Sequence, residues 1–242
     1  MERALYAAAT GMAAQQRNLE TIAANLANAD VTGFKRSTMR FTALVRPDGT
    51  TLGVAPQGRE LIFKQGKLVK TGGPFDCAIS GDGFFIVSDD RGHRAYTRSG
   101  SFERAPDGTL RNSRGWRLEG VRIPLDAIDV TVTRDGRVSA TTAAGKRAIG
   151  RIRLAVFPAP ERLRTIEGTL LGATHDAGQV RVLDPTRLGK PQIRFGMLEA
   201  SNVSVVAEMM EILSAQRAYE ANAKGVQAAD EMLRIADNLD RG

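Results

Sequence analysis

The chain has 242 residues, 42% of them hydrophobic and 25% charged, with a formal net charge of +7 at pH 7. That length is enough for one sizeable domain with extensions, and no stretch approaches the ~20 consecutive apolar residues of a membrane-spanning helix. The single cysteine, Cys77, excludes an internal disulfide; it lies in the apolar run 75–79, which predicts a buried structural thiol.

The N-terminus opens on an amphipathic pattern behind Glu2 and Arg3. It lacks a basic segment leading into an apolar one, so no secretory signal peptide is expected. Leu5, Met12, Leu19 and Leu26 recur every seven residues, and Ala8, Gln15, Ile22 and Ala29 follow three later, as d positions follow a positions in a heptad. Ala7, Ala9, Gly11, Ala13 and Ala14 would let a partner helix approach closely. The helix should end near Asn28, Asp30 and Gly33, residues that tolerate turn conformations. Residues 1–34 are therefore read as an N-terminal coiled-coil helix. Residues 35–60 are read as an extended linker, since 46–57 is rich in Gly, Pro and Thr.

From Leu61 the pattern changes to short apolar runs between tight turns. Phe84-Phe85-Ile86-Val87 reads as a buried strand. Val130–Thr133 and Arg137–Ser139 flank Asp135-Gly136, a strong hairpin signal. Alternation from Ile149 to Phe157 and the runs at 180–183 and 193–197 complete the series. Hairpins at roughly ten-residue spacing predict an antiparallel all-β domain over 61–198 rather than βαβ units.

Residues 199–242 form the second helical segment. Val205, Ile212, Tyr219, Val226 and Leu233 recur every seven residues, with Met209, Gln216 and Ala223 four later on the same face. Ser201, Asn202 and Ser204 offer caps at its start. The fold class is therefore α+β: two long terminal helices forming a coiled-coil pair around an inserted antiparallel β domain. Two surface helices on a globular core would give the same periodicity. From Glu199 onward eight acidic residues face four basic ones, a balance of −4, so the preceding 198 residues carry +11. The basic residues there are scattered singly with few aromatics. That argues against nucleic acid and for contacts between unlike charged faces of neighbouring subunits.

No catalytic, cofactor or metal site is expected. No Gly-Lys pair is followed by the Ser or Thr of a P-loop, and Gly81-Asp82-Gly83 lacks the third glycine of a dinucleotide fingerprint. His93 and His175 are isolated in Gly/Asp loops, and a thiol in an apolar run is inert.

Three separated motifs carry a resemblance. Ala23-Ala24-Asn25-Leu26-Ala27-Asn28 with Thr32-Gly33-Phe34-Lys35 resembles the N-terminal signature of bacterial flagellar rod and hook proteins. Gly81-Asp82-Gly83-Phe84-Phe85 with Tyr96-Thr97-Arg98-Ser99-Gly100-Ser101-Phe102 resembles that family's central β motif. Leu198-Glu199-Ala200-Ser201-Asn202-Val203 with Gln216-Arg217-Ala218-Tyr219-Glu220 resembles its C-terminal one. Val31 departs from the Thr or Ser that the family places in the first turn.

The resemblance implies a structural subunit of the basal-body rod. Such a subunit self-assembles helically into a hollow shaft that transmits torque and encloses the export channel. It implies a homo-oligomer that also contacts other rod and hook subunits and surrounding ring proteins, exported by the flagellar type III apparatus into the periplasm-spanning basal body. Gln15-Gln16, Gly33-Phe34-Lys35-Arg36 and 201–239 are most similar to the distal-rod protein, whereas the short 46–57 segment is similar to proximal-rod subunits. The self-assembly interface is then expected on Leu5, Met12, Leu19, Ile22, Leu26, Val205, Met209, Ile212, Tyr219, Val226 and Leu233, with Asn25, Asn28, Gly33, Phe34, Ser201 and Asn202 as motif positions. The alternative is a non-catalytic periplasmic module whose basic β domain binds an acidic polymer.

Overall fold

The fold is that of a computed structural model, which describes residues 2–185 and 191–239, with side chains undescribed at 2–4, 233 and 236–239. The chain divides into two compact units. One consists of Met1–Ala27, Ser37–Glu60 and Val203–Gly242, the other of Asn28–Arg36 and Leu61–Asn202.

The helical unit contains α1 (Glu2–Ala27), α2 (Val205–Leu239) and a hairpin of β1 (Ser37–Val45) and β2 (Thr51–Leu61). Position 205 starts α2 where Ser204 can cap it: its Oγ accepts from the Ala207 N–H at 3.5 Å and its carbonyl from the Glu208 N–H at 2.9 Å. The hairpin closes through the Arg46 N–H to the Thr50 carbonyl, 2.9 Å.

The strand unit is antiparallel throughout its assigned pairs. Its strands are β3 (Leu68–Lys70), β4 (Cys77–Ser80), β5 (Phe84–Ser88), β6 (Arg94–Thr97), β7 (Glu103–Arg104), β8 (Thr109–Arg111), β9 (Arg117–Arg122) and β10 (Asp129–Val132). They continue with β11 (Arg137–Thr142), β12 (Gly145–Arg151), β13 (Leu154–Val156), β14 (Arg164–Glu167), β15 (Leu170–Gly172), β16 (Arg181–Leu183), β17 (Gln192–Phe195) and β18 (Met197–Glu199). The main sheet runs β10-β11-β12-β9-β5-β6-β15-β14, and β13 joins β5 to β16. The pairs β4–β17 and β3–β18 stand as separate two-stranded sheets.

Strand β5 is the centre, paired with β6, β9 and β13. All five of its residues are buried, which its continuous apolar sequence foretells. Its alternating side chains serve two cores. Phe85 and Val87 join Cys77, Ile79, Leu118 and Ile152, while Phe84 and Ile86 join Tyr96, Phe157 and Leu171. Edge-to-face rings bind each core: Phe85 on Phe102 at 5.6 Å, and Tyr96 on Phe157 at 4.8 Å.

Several details differ from the sequence reading. Residues 35–60 are not a linker: they hold β1 and β2, and only 46–50 forms the turn. Gly53, Pro56 and Gly58 lie inside β2, which is tolerable because a strand in a two-stranded sheet is an edge strand and Pro need not donate to a ladder. The single run expected from Ile149 to Phe157 is split between β12 and β13. Strands β3, β4, β9, β14 and β15 were not foreseen. The Asp135-Gly136 turn does join β10 to β11, with Val132 opposite Val138.

Candidate assembly interface

Helices α1 and α2 pack antiparallel along each other. Asn25 hydrogen-bonds Glu208, and Gly11 lies against the Asn222 side chain, so two heptads separate the contacts on both helices. Gln15 and Asn18 line a small polar cleft between them with Glu211, Ser214, Ala215 and Ala218. The seam is thus built of small and polar residues: Ala14, Thr21 and Asn25 of α1 and Glu208, Ala215 and Ala229 of α2 are all buried. Small side chains allow close approach but bury little apolar area.

Most large apolar residues lie elsewhere, Ile22 being the exception. Of the expected interface positions, Ile22 is buried, and Leu5, Met12, Leu19, Leu26, Ile212 and Val226 are half-buried. Val205, Met209 and Tyr219 are exposed, at 43%, 55% and 41%. The Leu233 side chain lies outside the described residues. The most exposed apolar side chains of α2 were not singled out from the sequence: Val206, Met210, Leu213 and Ile235. At 100° per residue they fall on the face opposite the Glu208–Ala215 seam. The seven-residue repeat of α2 therefore runs beside the inner seam, and the most exposed apolar side chains fall outside it. Periodicity alone does not say which stripe meets the chain's own partner helix.

Polar clusters anchor the motif residues. Asn25 is fully buried. Its Nδ2 donates to the Ser37 carbonyl at 2.8 Å and to Glu208 Oε2 at 3.1 Å, and its Oδ1 accepts from the Ser37 N–H at 2.9 Å. In the strand unit, the Asn28 carbonyl accepts from the Val31 N–H, and the Val31 carbonyl from the Phe34 N–H, both at 3.2 Å. Gly33 has φ +71°, and a Cβ there would run into the Ser99 backbone, so glycine is required. Phe34 and Ser201 are half-buried. Asn202 is not a helix cap: its Oδ1 accepts from the Arg36 N–H at 2.7 Å, and its Nδ2 donates to the Ile62 and Lys64 carbonyls at 2.7 and 2.9 Å.

Sequence reasoning missed the buried charges. Lys35 Nζ sits 2.6 Å from Glu199 Oε1, and Arg98 Nη1 lies 3.6 Å from Glu199 Oε2; all three side chains are almost wholly buried. Burial, partly opposed by Glu199, pulls the Lys35 amine below its ordinary value, and burial likewise lowers Arg98. The only available signal was their place inside the three motifs, since the partners are far apart in sequence.

Among the described residues no group of three His, Cys, Asp or Glu could hold a metal ion, and no helix is long and apolar enough to cross a membrane. His93 Nδ1 pairs with Asp89 Oδ2 at 2.8 Å in an exposed turn, and His175 is fully exposed. Cys77 is buried, and burial, with Asp76 adding to it, pushes its thiol up to about 12.

Comparison with known proteins agrees with this architecture. Residues 5–35 match the family model described as flagella basal body rod protein. Residues 78–140 match the flagellar hook protein FlgE/F/G D1 domain, and 195–239 the flagellar basal body rod FlgEFG protein C-terminal. The flagellar basal-body rod protein FlgG of Borreliella burgdorferi is 38% identical across all of both chains. The FlgG of Agrobacterium fabrum is 36% identical over 96% of this chain and 97% of its own. The FlgF of Caulobacter vibrioides is 36% identical over 98% of this chain and 97% of its own. With identity at this level over the whole length, the chain belongs to the flagellar basal-body rod protein family and is a structural protein of the bacterial flagellum's basal body.

Proposed function

We propose that this chain is a distal-rod subunit that assembles helically with copies of itself into a hollow shaft, its α1–α2 pairs packing as coiled coils around an export channel. One observation carries the reading: apart from Ile22 the helix pair buries mainly small and polar residues on its own seam and leaves Val206, Met210, Leu213 and Ile235 exposed on the outward face of α2. Each of these side chains is worth about 1.5–3 kcal/mol when fully buried. With more than half of each still exposed, neighbouring copies covering that face gain roughly 1 kcal/mol per residue. FlgG relatives support the distal assignment, and the near-equal identity to a FlgF relative makes a proximal position the competing one.

The shaft would span the periplasm and touch other rod and hook subunits and the rings around it. Its subunits would leave the cell through the flagellar type III apparatus. The interface positions expected from the sequence that remain half-buried, Leu5, Met12, Leu19, Leu26, Ile212 and Val226, would complete the contacts between copies. The test is a Met210→Cys subunit cross-linked in intact cells. Multimers support the assembly reading, and monomer alone contradicts it.

A further inference from the structure

Four chain connections join the two units, after Ala27, Arg36, Glu60 and Asn202. On the strand-unit side, all four lie within a few residues of one carboxylate. The Glu199 carbonyl accepts from the Gly33 N–H at 2.7 Å, and its Oε1 accepts from Lys35 Nζ at 2.6 Å. Those residues belong to segment 28–36, which holds the first two connections. Oε1 also accepts from the Gly66 N–H at 2.9 Å, just after the third connection. Glu199 itself precedes the fourth. A Cβ on Gly66 would strike the Ala200 carbonyl, so these backbones touch directly. Lys35 Nζ donates again to the Lys64 carbonyl at 3.0 Å.

We propose that Glu199 is a positioning residue whose single buried carboxylate fastens every connection leading from the strand unit to the helical unit. A rotating shaft subunit carries load between its units through these four covalent connections, and a common fastening keeps them from sliding past one another. The assembly role rests on the proposed function; the fastening itself does not.

The two cations around Glu199 are not equivalent. Arg98 is held independently, with Nη2 donating to the Gly81 carbonyl at 2.8 Å and its guanidinium 5.5 Å from the centre of the Phe84 ring. Its Nε and Nη1, and Glu199 Oε2, are buried without a hydrogen-bond partner. Arg98 thus balances charge, while Lys35 supplies the hydrogen bonds. Without Glu199, the two buried cations lose the counter-charge they share, and Arg98 keeps the attraction of Asp82. Without the Lys35 charge, Arg98 and Glu199 remain a balanced pair.

The experiment is amide hydrogen exchange on the purified full chain at neutral pH, comparing Glu199→Gln with Lys35→Met. Glu199→Gln is expected to raise exchange at least about tenfold in peptides covering 28–36, 61–68 and 197–203, with less than about twofold change in β5 and β13. Lys35→Met raises the same three segments by less. A uniform rise across the strands, no rise in the three segments, or a larger effect from Lys35→Met overturns the proposal. Should Glu199→Gln not fold, Glu199→Asp takes its place, since the shortened carboxylate cannot keep both Lys35 and Gly66. Loss of the folded strands in Glu199→Asp as well overturns the proposal. Loss of swimming is read separately: local loosening with normal swimming leaves the fastening standing and counts against the assembly role.

Discussion

Asn25→Ala is the most informative single change in the helical unit. Asn25 is fully buried and links three segments: its own helix, the Ser37 backbone at the start of β1, and Glu208 on α2. Alanine removes the hydrogen bond to the carboxylate, about 1.5–3 kcal/mol, and two to the Ser37 backbone at roughly 1 kcal/mol each. Relaxation recovers part of this, leaving an expected loss of about 3 kcal/mol, or roughly 150-fold in the local opening constant at 1.4 kcal/mol per factor of ten. Hydrogen exchange of peptides from α1 in the full chain reads that constant directly. Asn25→Asp should open α1 further, because it places a second carboxylate 3.1 Å from Glu208 Oε2 and removes the donor. An effect below about fivefold, or one shared equally by β5, would show that Asn25 does not pin α1 to α2 and β1.

Two further outcomes follow from burial. Cys77, 1% exposed with its thiol pushed up to about 12, should resist a thiol-labelling reagent at pH 8 in the folded chain and react fully once denaturant unfolds the strand unit; rapid labelling of native protein would contradict the packing around β4. Leu213 is already 57% exposed in the single chain, so Leu213→Asp should change the melting of purified protein by no more than about 0.5 kcal/mol, yet block incorporation into basal bodies, where a buried unpaired carboxylate costs several kcal/mol. Normal swimming of that variant would remove Leu213 from the interface.

The elements that could be read from sequence alone are those with a local signal. Phe84–Val87 is a continuous apolar run because β5 is buried on both faces. The Asp135-Gly136 turn is specified by residues next to each other. The terminal helices are marked by strict repeats. Strand β9 escaped because its buried residues, Leu118 and Val121, are three apart, with Gly120 at φ +85° between them breaking the alternation. Strand β14 has every residue exposed and so carries no apolar pattern. Asn25 with Glu208, and Lys35 with Glu199, are polar residues buried only because each satisfies a partner 183 or 164 positions away, and nothing in their neighbourhoods announces this. The α2 repeat is visible, but which face of the helix it turns to a partner depends on where α1 lies.

In the proposed assembly the outward face of α2 is covered by other copies of this chain in the flagellum. The direct measurement uses Met210→Cys in flagellated cells, where the buried Cys77 provides no competing thiol, with a short bis-maleimide linker and Arg117→Cys on β9 as a second position for comparison. A ladder of dimers and higher multimers is expected from position 210 in assembled basal bodies, and monomer alone when the subunit is purified and dilute. A single monomer band from intact basal bodies, with position 210 freely labelled by a bulky maleimide, would contradict it.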